Sequence, residues 1–396
     1  MADAAGGFGA IIFIVLVVIM LGVLAGLALV ELQYRRRPGN QLVMTLGNWE
    51  LPVYEPDHYT LVGKLELQNQ TRTLEIMVPQ IAAEATLLSS SDLSDVTTTT
   101  TVQPNHNDAE TRPDGYWFAY IVKVGKSTGV TITVDIHGSQ LRSLKSAWVK
   151  INYMTYGPQG RIPKAHHVVV PLTFPDRSQP LSSRVTPAGE VFPIPTHLLS
   201  PLDDPVEVIK RYVTPHAKPN DIVTIGETPL AIMQERLRHP STIKPGWLAK
   251  RLCYYFLPTS SLATACGLQA LVDIVGAWRV LGAFVGGAIL KVFGSPGGFY
   301  RLAGDQARLI DDVTGTLPPY DQFIVLGPQD PGRIVDQIKQ ETGLSAAIVD
   351  VNDLRAVKVL AATADLSDTL LKQALMANPA GNADEQTPIV LIRPKS

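Results

Sequence analysis

Four groups of carboxylates stand where short apolar runs end: Asp203-Asp204, Asp311-Asp312 ahead of Thr314-Gly315, Asp350 with Asp353, and the Gly381-Asn382-Ala383-Asp384-Glu385 run. Oxygen ligands at strand ends, in a chain with only 2 Cys and 8 His, suit a hard cation such as Mg²⁺ or Mn²⁺ rather than zinc. A metal–phosphate site is the chemistry this pattern points to. Taken singly, each Asp also fits a cap or turn position, and Asp204 has the place of a helix N-cap. Two other groupings carry no chemistry. Gly125-Lys126-Ser127 resembles the end of a phosphate-binding loop, but Tyr120 stands where that loop needs its first glycine. His166 and His167 are neighbours in a strand-like run, so they should point to opposite faces, one inward and one outward.

The elements that must position the carboxylates belong to a C-terminal unit, residues 191–396. Helical periodicity is expected over Asp204–Val213, Asp330–Thr342 and Leu366–Met376, and strands over Ile222–Ile225, Gln322–Leu326, Ala346–Val351 and Ile389–Ile392. Alternation of the two types gives an α/β (or α+β) class. Between them, Trp247–Tyr300 is strongly apolar but broken by Asp273, Arg279 and Lys291. It reads as a buried helix or a pocket wall, with contact to a membrane interface as the alternative.

Residues 40–183 differ in texture. His58–Gln68, Thr73–Val78, Tyr116–Val124, Gly129–Ile136, Ala147–Tyr156 and His167–Phe174 are rich in Val, Ile, Thr and aromatics and are bounded by turn residues. This is the signature of an all-β, sandwich-like domain. Thr97–Gly115 shows no apolar periodicity and is expected to be a long exposed loop. No residue set here suggests catalysis, so a spacer or docking role is expected.

Ahead of both units, Ala10–Val30 is uncharged and almost wholly aliphatic, long enough as a helix to span a bilayer. With Arg35, Arg36 and Arg37 following it, residues 1–37 read as a single-pass anchor and its basic flank. The N-terminus is then outside and the bulk of the chain cytoplasmic. Gly22 and Gly26 form a GxxxG face that could seat a partner helix. The whole is multi-domain, and its balance of 34 basic against 36 acidic residues argues against a nucleic-acid partner. Two Cys exclude a disulfide-stapled fold.

Four ordered blocks in the C-terminal unit resemble the coenzyme F-420-0 gamma-glutamyl (L-glutamate) ligases. They are Thr196 to Pro205 with Asn220-Asp221-Ile222-Val223, Leu309 to Thr314, Gln329-Asp330-Pro331 through Ala346 to Asp350, and Gly381 to Arg393. The resemblance implies GTP-dependent amide formation: a small-molecule carboxylate is activated as an acyl phosphate and glutamate displaces the phosphate. It further implies metal ligation by Asp312 (or Asp311), Asp350 and Asn382. A nucleotide site is implied around Thr196, Leu199, Gly226, Glu227, Gly381, Asp384 and Glu385. One departure bears on chemistry. After the Val-Thr-Ile strand the family usually supplies a lysine, whereas this chain has Gly226-Glu227-Thr228-Pro229 and, at the other plausible position, Ile232. Two functions of different kind therefore follow: a membrane-anchored ligase, or a non-catalytic, membrane-tethered binding or assembly protein on a degenerate ligase fold.

Overall fold

The structure is a computed structural model that describes residues 2–36, 41–158, 160–310, 317–351, 356–381 and 385–395. Helix α1 (Ala2–Arg36) carries an apolar stretch, Phe13–Gln33, of mean hydropathy 3.1 and 0 % burial. It is long and apolar enough to cross a membrane. Its position near the N-terminus equally suits a signal sequence.

Two antiparallel sheets follow. The first orders β1 (Leu42–Met44), β3 (His58–Asn69), β7 (Ser127–His137) and β5 (Thr97–Asn105), with β2 (Asn48–Glu55) also paired to β3. The second orders β6 (Tyr120–Val122), β4 (Ile76–Ser89), β8 (Leu144–Gly157) and β9 (Gly160–Pro171). Inward residues alternate strictly along β3 and β7, and Leu61, Leu65, Ile132 and Val134 meet Val149 and Ile151 of the facing sheet in one core. Strict period-two burial is what a sandwich requires of each inner face.

Two expectations need correction here. Thr97–Gly115 is not one long loop, because its first half is β5, paired with β7 from Thr97↔His137 to Asn105↔Gly129. A run of five threonines has no apolar alternation, yet β-branched side chains favour a pleated edge strand whatever their polarity. Conversely, within Tyr116–Val124 only Tyr120–Val122 forms a strand. The indole of Trp117 instead turns into the core and donates to the Val78 carbonyl at 2.9 Å.

The remaining chain forms a mixed sheet in the order β10 (Arg184–Thr186), β11 (Gly189–Ile194), β17 (Ile389–Pro394), β12 (Ile222–Gly226), β15 (Ser345–Val351), β16 (Val357–Ala362), in which β12 and β15 are parallel. Helices α2 (Pro205–Tyr212) and α9 (Pro331–Thr342) cover one face; α10 (Asp368–Leu375) covers the other. Val223, Ile225, Ala346, Ile348, Ile389 and Leu391 serve the first core, while Ile222, Ala347, Val349, Val390 and Ile392 serve the second. Burial on both faces is why these strands read as unbroken apolar runs. Asp204 caps α2, accepting from Val206 N at 2.9 Å and Glu207 N at 3.1 Å.

Residues 227–322 hold short helices: α3 (Glu227–Met233), α4 (Trp247–Leu252), α5 (Ala265–Val275), α6 (Ala277–Val292), α7 (Gly298–Ala303) and α8 (Gln306–Leu309). A two-stranded ribbon pairs β13 (Leu237–Arg238) with β14 (Ile324–Val325). Helices α4 to α8 build their own small core around Leu268, Leu271, Val280 and Ala303.

His166 and His167 do point to opposite faces of β9: His166 shares the sandwich-core face with Val168 and Val170, and His167 shares the outer face with Val169. The outward ring is nevertheless half-buried, because the C-terminal unit covers that face. His167 stacks on His239 with centroids 4.6 Å apart and meets Phe323 edge-on at 5.3 Å. Trp148 donates its indole N–H to His167 Nδ1 at 3.2 Å, which fixes that nitrogen as an acceptor and the ring as neutral. Burial pushes His167 down to about 3 and His166 to about 4, with the His239 and His166 rings adding to the effect at His167. The unfolded reference lies near 6.5, about where free imidazole titrates. Stability from this contact is therefore complete above about pH 6.5 and declines as pH falls toward the folded values. Thermal melts between pH 7 and 4.5 should show a shallower loss in His167→Phe than in the parent; parallel curves would remove His167 as a cause.

Candidate functional site

A cavity of about 450 Å³ opens where the two parallel strands end. Ligands of open α/β sheets bind outside the carboxyl ends of parallel strands, since adjoining loops diverge there and leave a crevice. Gly226 ends β12, and Val349, Asp350 and Val351 end β15; all four line the cavity. The approach to β17 closes another side, with Gln386 O accepting from Thr196 N at 3.0 Å and Pro388 O accepting from Gly226 N at 3.1 Å. These two bonds pin three distant segments to one another.

The Thr196–Leu199 turn forms one wall and is held rigidly. His197 is buried, its Nδ1 2.7 Å from the Tyr212 hydroxyl and its Nε2 2.8 Å from Asp203. The second Asp203 oxygen accepts from Ser200 N at 2.8 Å. Tyr320, fully buried, donates to the Leu199 carbonyl at 2.8 Å. Asp203 and Asp204 are thus committed to the turn and the cap, so the first acidic pair positions the wall rather than a cation.

Of the residues expected to bind nucleotide or metal, Thr196, Leu199, Gly226, Glu227, Asp350 and Gly381 all line this cavity. Glu385 stands beside it: a Cβ built on Gly381, whose φ is +71°, would come within 2.6 Å of the Glu385 carboxyl carbon. Asp311, Asp312, Asn382 and Asp384 lie outside the described residues. Among the described residues no three His, Cys, Asp or Glu side chains gather as a metal cage. The donors that do face the cavity, including Asp350, Glu227, Thr196 and Thr228, are oxygen groups, which fits Mg²⁺ or Mn²⁺ rather than a soft metal.

The structure adds a residue that sequence reasoning missed. Arg308 of α8 lines the cavity. Thr228 and Ile232, the two positions where a lysine was sought, line it as well, so the arginine reaches the same space from another element. Its place immediately before Leu309-Ile310-Asp311-Asp312 was the available signal. For Trp247–Tyr300, expected as a buried helix or a pocket wall, the helices bury one side in their own core, and none of its described residues lines this cavity.

Residues 43–174 match the family model of the F420-0:gamma-glutamyl ligase N-terminal Ig-like domain. This match ties the sandwich, a third of the chain, to a domain of that ligase family. It falls on the unit whose residues suggested no chemistry, while the resemblance read from sequence lay in residues 191–396. No curated protein matches the chain. Among solved structures, the yeast GGA1 GAE domain is 14 % identical with TM-score 0.20, covering 34 % of this chain and 96 % of that one. The CupB6 tip adhesin of Pseudomonas aeruginosa is 10 % identical with TM-score 0.20, covering 38 % of this chain and 57 % of that one. The GAE domain of GGA2p from Saccharomyces cerevisiae is 9 % identical with TM-score 0.17, covering 32 % and 100 %.

Proposed function

We propose that this protein is a membrane-anchored amide ligase that uses a nucleotide, GTP by resemblance, and Mg²⁺ or Mn²⁺ to join glutamate to a small-molecule carboxylate. The observation that supports the reading is the single cavity into which Thr196, Leu199, Gly226, Glu227, Asp350 and Gly381 converge from four separated segments. The sandwich's match to a ligase-family domain points the same way. Asp350, with Asp311 or Asp312 and Asn382, would hold the cation, which supplies charge neutralisation on phosphoryl oxygens. The chain's own part is to orient and to exclude water. The Thr196–Leu199 turn, locked by His197 and Tyr320, forms a rigid wall. The positive φ at Gly381 lets backbone approach an anion closely. Arg308 offers a guanidinium to phosphate oxygens. α1 would be the anchor.

A second reading, a non-catalytic binding or assembly protein, is favoured by one observation: Ile232 is buried in an apolar cluster with Tyr320 and Phe323, where no lysine stands. Calorimetric titration of the full chain in micelles with GTP and with ATP, each with Mn²⁺, separates the two. Saturable binding of either nucleotide is expected. In Asp350→Asn the melting temperature of metal-free protein should hold or rise, since one carboxylate of the proposed cation site is neutralised, while stabilisation by Mn²⁺ disappears. No heat with either nucleotide would leave the assembly reading standing.

A further inference from the structure

Helix α6 carries apolar side chains around most of its circumference, interrupted by Arg279 and Lys291, although among the described residues its protein partners lie on one side. Its inner face, Val280, Ala283 and Gly287, packs into the small helical core, with a Gly287 Cβ coming within 2.6 Å of Phe299 N. At 100° per residue, Trp278, Val285, Ile289 and Val292 fall on the opposite side, within about 60° of one another. Trp278 and Val292 are each 85 % exposed and Phe293, next along, is 81 % exposed. Tyr254 and Tyr255 stand just as free beyond α4, and Tyr255 reaches Phe284 of α6 edge-on at 5.3 Å, so the surface continues across both elements. A helix that is apolar around most of its circumference is ordinarily covered, and a contiguous exposed apolar patch marks a contact surface.

Charge and shape identify what covers it. Between Trp247 and Ala303 there are five basic residues, Lys250, Arg251, Arg279, Lys291 and Arg301, and one acidic residue, Asp273, in a chain whose net charge is −2. That Asp273 is paired with Arg238 at 2.6 Å. Apolar and aromatic side chains edged by Lys and Arg are the composition of a helix lying in a bilayer interface, where Trp and Tyr favour the headgroup level. α6 has 16 residues, about 24 Å of helix, short of the roughly 30 Å hydrocarbon core, and it meets α5 at a 112° bend. A surface-lying helix satisfies those dimensions where a span does not.

We infer that the α4–α6 face, centred on Trp278, Val285, Ile289 and Val292, docks on an anionic lipid bilayer, holding the C-terminal unit against the membrane. The inference rests on the anchored reading of α1, and the experiment separates the two. The full chain is reconstituted in phosphatidylcholine–phosphatidylglycerol vesicles and exposed to a photoactivated carbene probe dissolved in the lipid phase, with labelled peptides mapped by mass spectrometry. Residues 13–33 and 277–293 should both be labelled well above residues 331–342. In the triple variant Trp278→Ser, Val285→Ser, Ile289→Ser, which touches exposed positions only, label on 277–293 should drop about fivefold while that on 13–33 is unchanged. Label on 13–33 without label on 277–293 overturns the docked face and leaves the anchor, directing attention to a protein partner for the patch. Label on 277–293 without label on 13–33 keeps the face and removes the anchor. Absence of label from both overturns both.

Discussion

Asp221→Ala is expected to destabilise the C-terminal unit by about 3–5 kcal/mol, because it strands a charge that the fold partly buries. Asp221 is 2 % exposed and receives both arms of Arg393, at 3.0 Å from Nε and 2.7 Å from Nη2. It also accepts from Lys218 N at 2.8 Å, fixing the turn into β12. Arg393 near the end of β17 is stacked over Phe192 at 4.8 Å and reaches the His216 carbonyl at 3.3 Å. The pair therefore clamps β12 to β17, two of the strands whose ends shape the cavity. Arg393→Met should cost at least as much as Asp221→Ala: it keeps the aliphatic packing over Phe192, but it leaves the more deeply buried Asp221 carboxylate without its main partner. Chemical denaturation of both variants, followed by far-UV circular dichroism, gives the comparison. A loss under about 1 kcal/mol for Asp221→Ala would mean that water solvates the Arg393 guanidinium and that the clamp is ornamental.

Asp221 and Arg393 both lie in blocks that resemble the ligase family, yet the geometry gives them to the sheet rather than to the cavity. The same division runs through the other motif residues. Where a strand is buried on both faces, as Ile222–Ile225 and Ile389–Ile392 are, its apolar run is visible in sequence because every position is under the same pressure. The N-cap of α2 was visible for an equally local reason, its side chain bonding amides two and three residues ahead. Three features were not legible. β5 hides because threonine supplies β-propensity without hydrophobic contrast. The contact of Trp148 and His167 with His239 and Phe323 joins residues far apart in the chain, and no local periodicity encodes such a meeting. Arg308 stayed hidden because its partner space is built by other segments, so that only the folded chain shows what an arginine at that position faces.

Arg308→Ala is expected to weaken nucleotide binding by about 10- to 100-fold, the equivalent of one charge-assisted contact of roughly 1.5–3 kcal/mol. The residue is solvent-exposed at the edge of the cavity, so its loss should change the stability of the fold by less than about 1 kcal/mol. Arg308→Lys should recover part of the affinity, because an ammonium supplies charge but not the planar fork that holds two phosphate oxygens at once. Thr228→Lys provides the complementary arm. Thr228 opens α3 on the cavity wall, at one of the positions where the ligase family usually carries a lysine. If the guanidinium has taken over that lysine's work, adding Thr228→Lys to Arg308→Ala should restore much of the lost affinity, whereas adding it to the parent should gain less. Equilibrium titration of the four proteins with GTP and Mn²⁺ forms a double-mutant cycle, and the coupling between the two positions is its readout. Strictly additive effects would show that the two cations meet different parts of the ligand. Unchanged affinity in Arg308→Ala would show that phosphates do not pass α8 at all, and the reading of this cavity as a nucleotide site would lose its only cation among the described lining residues.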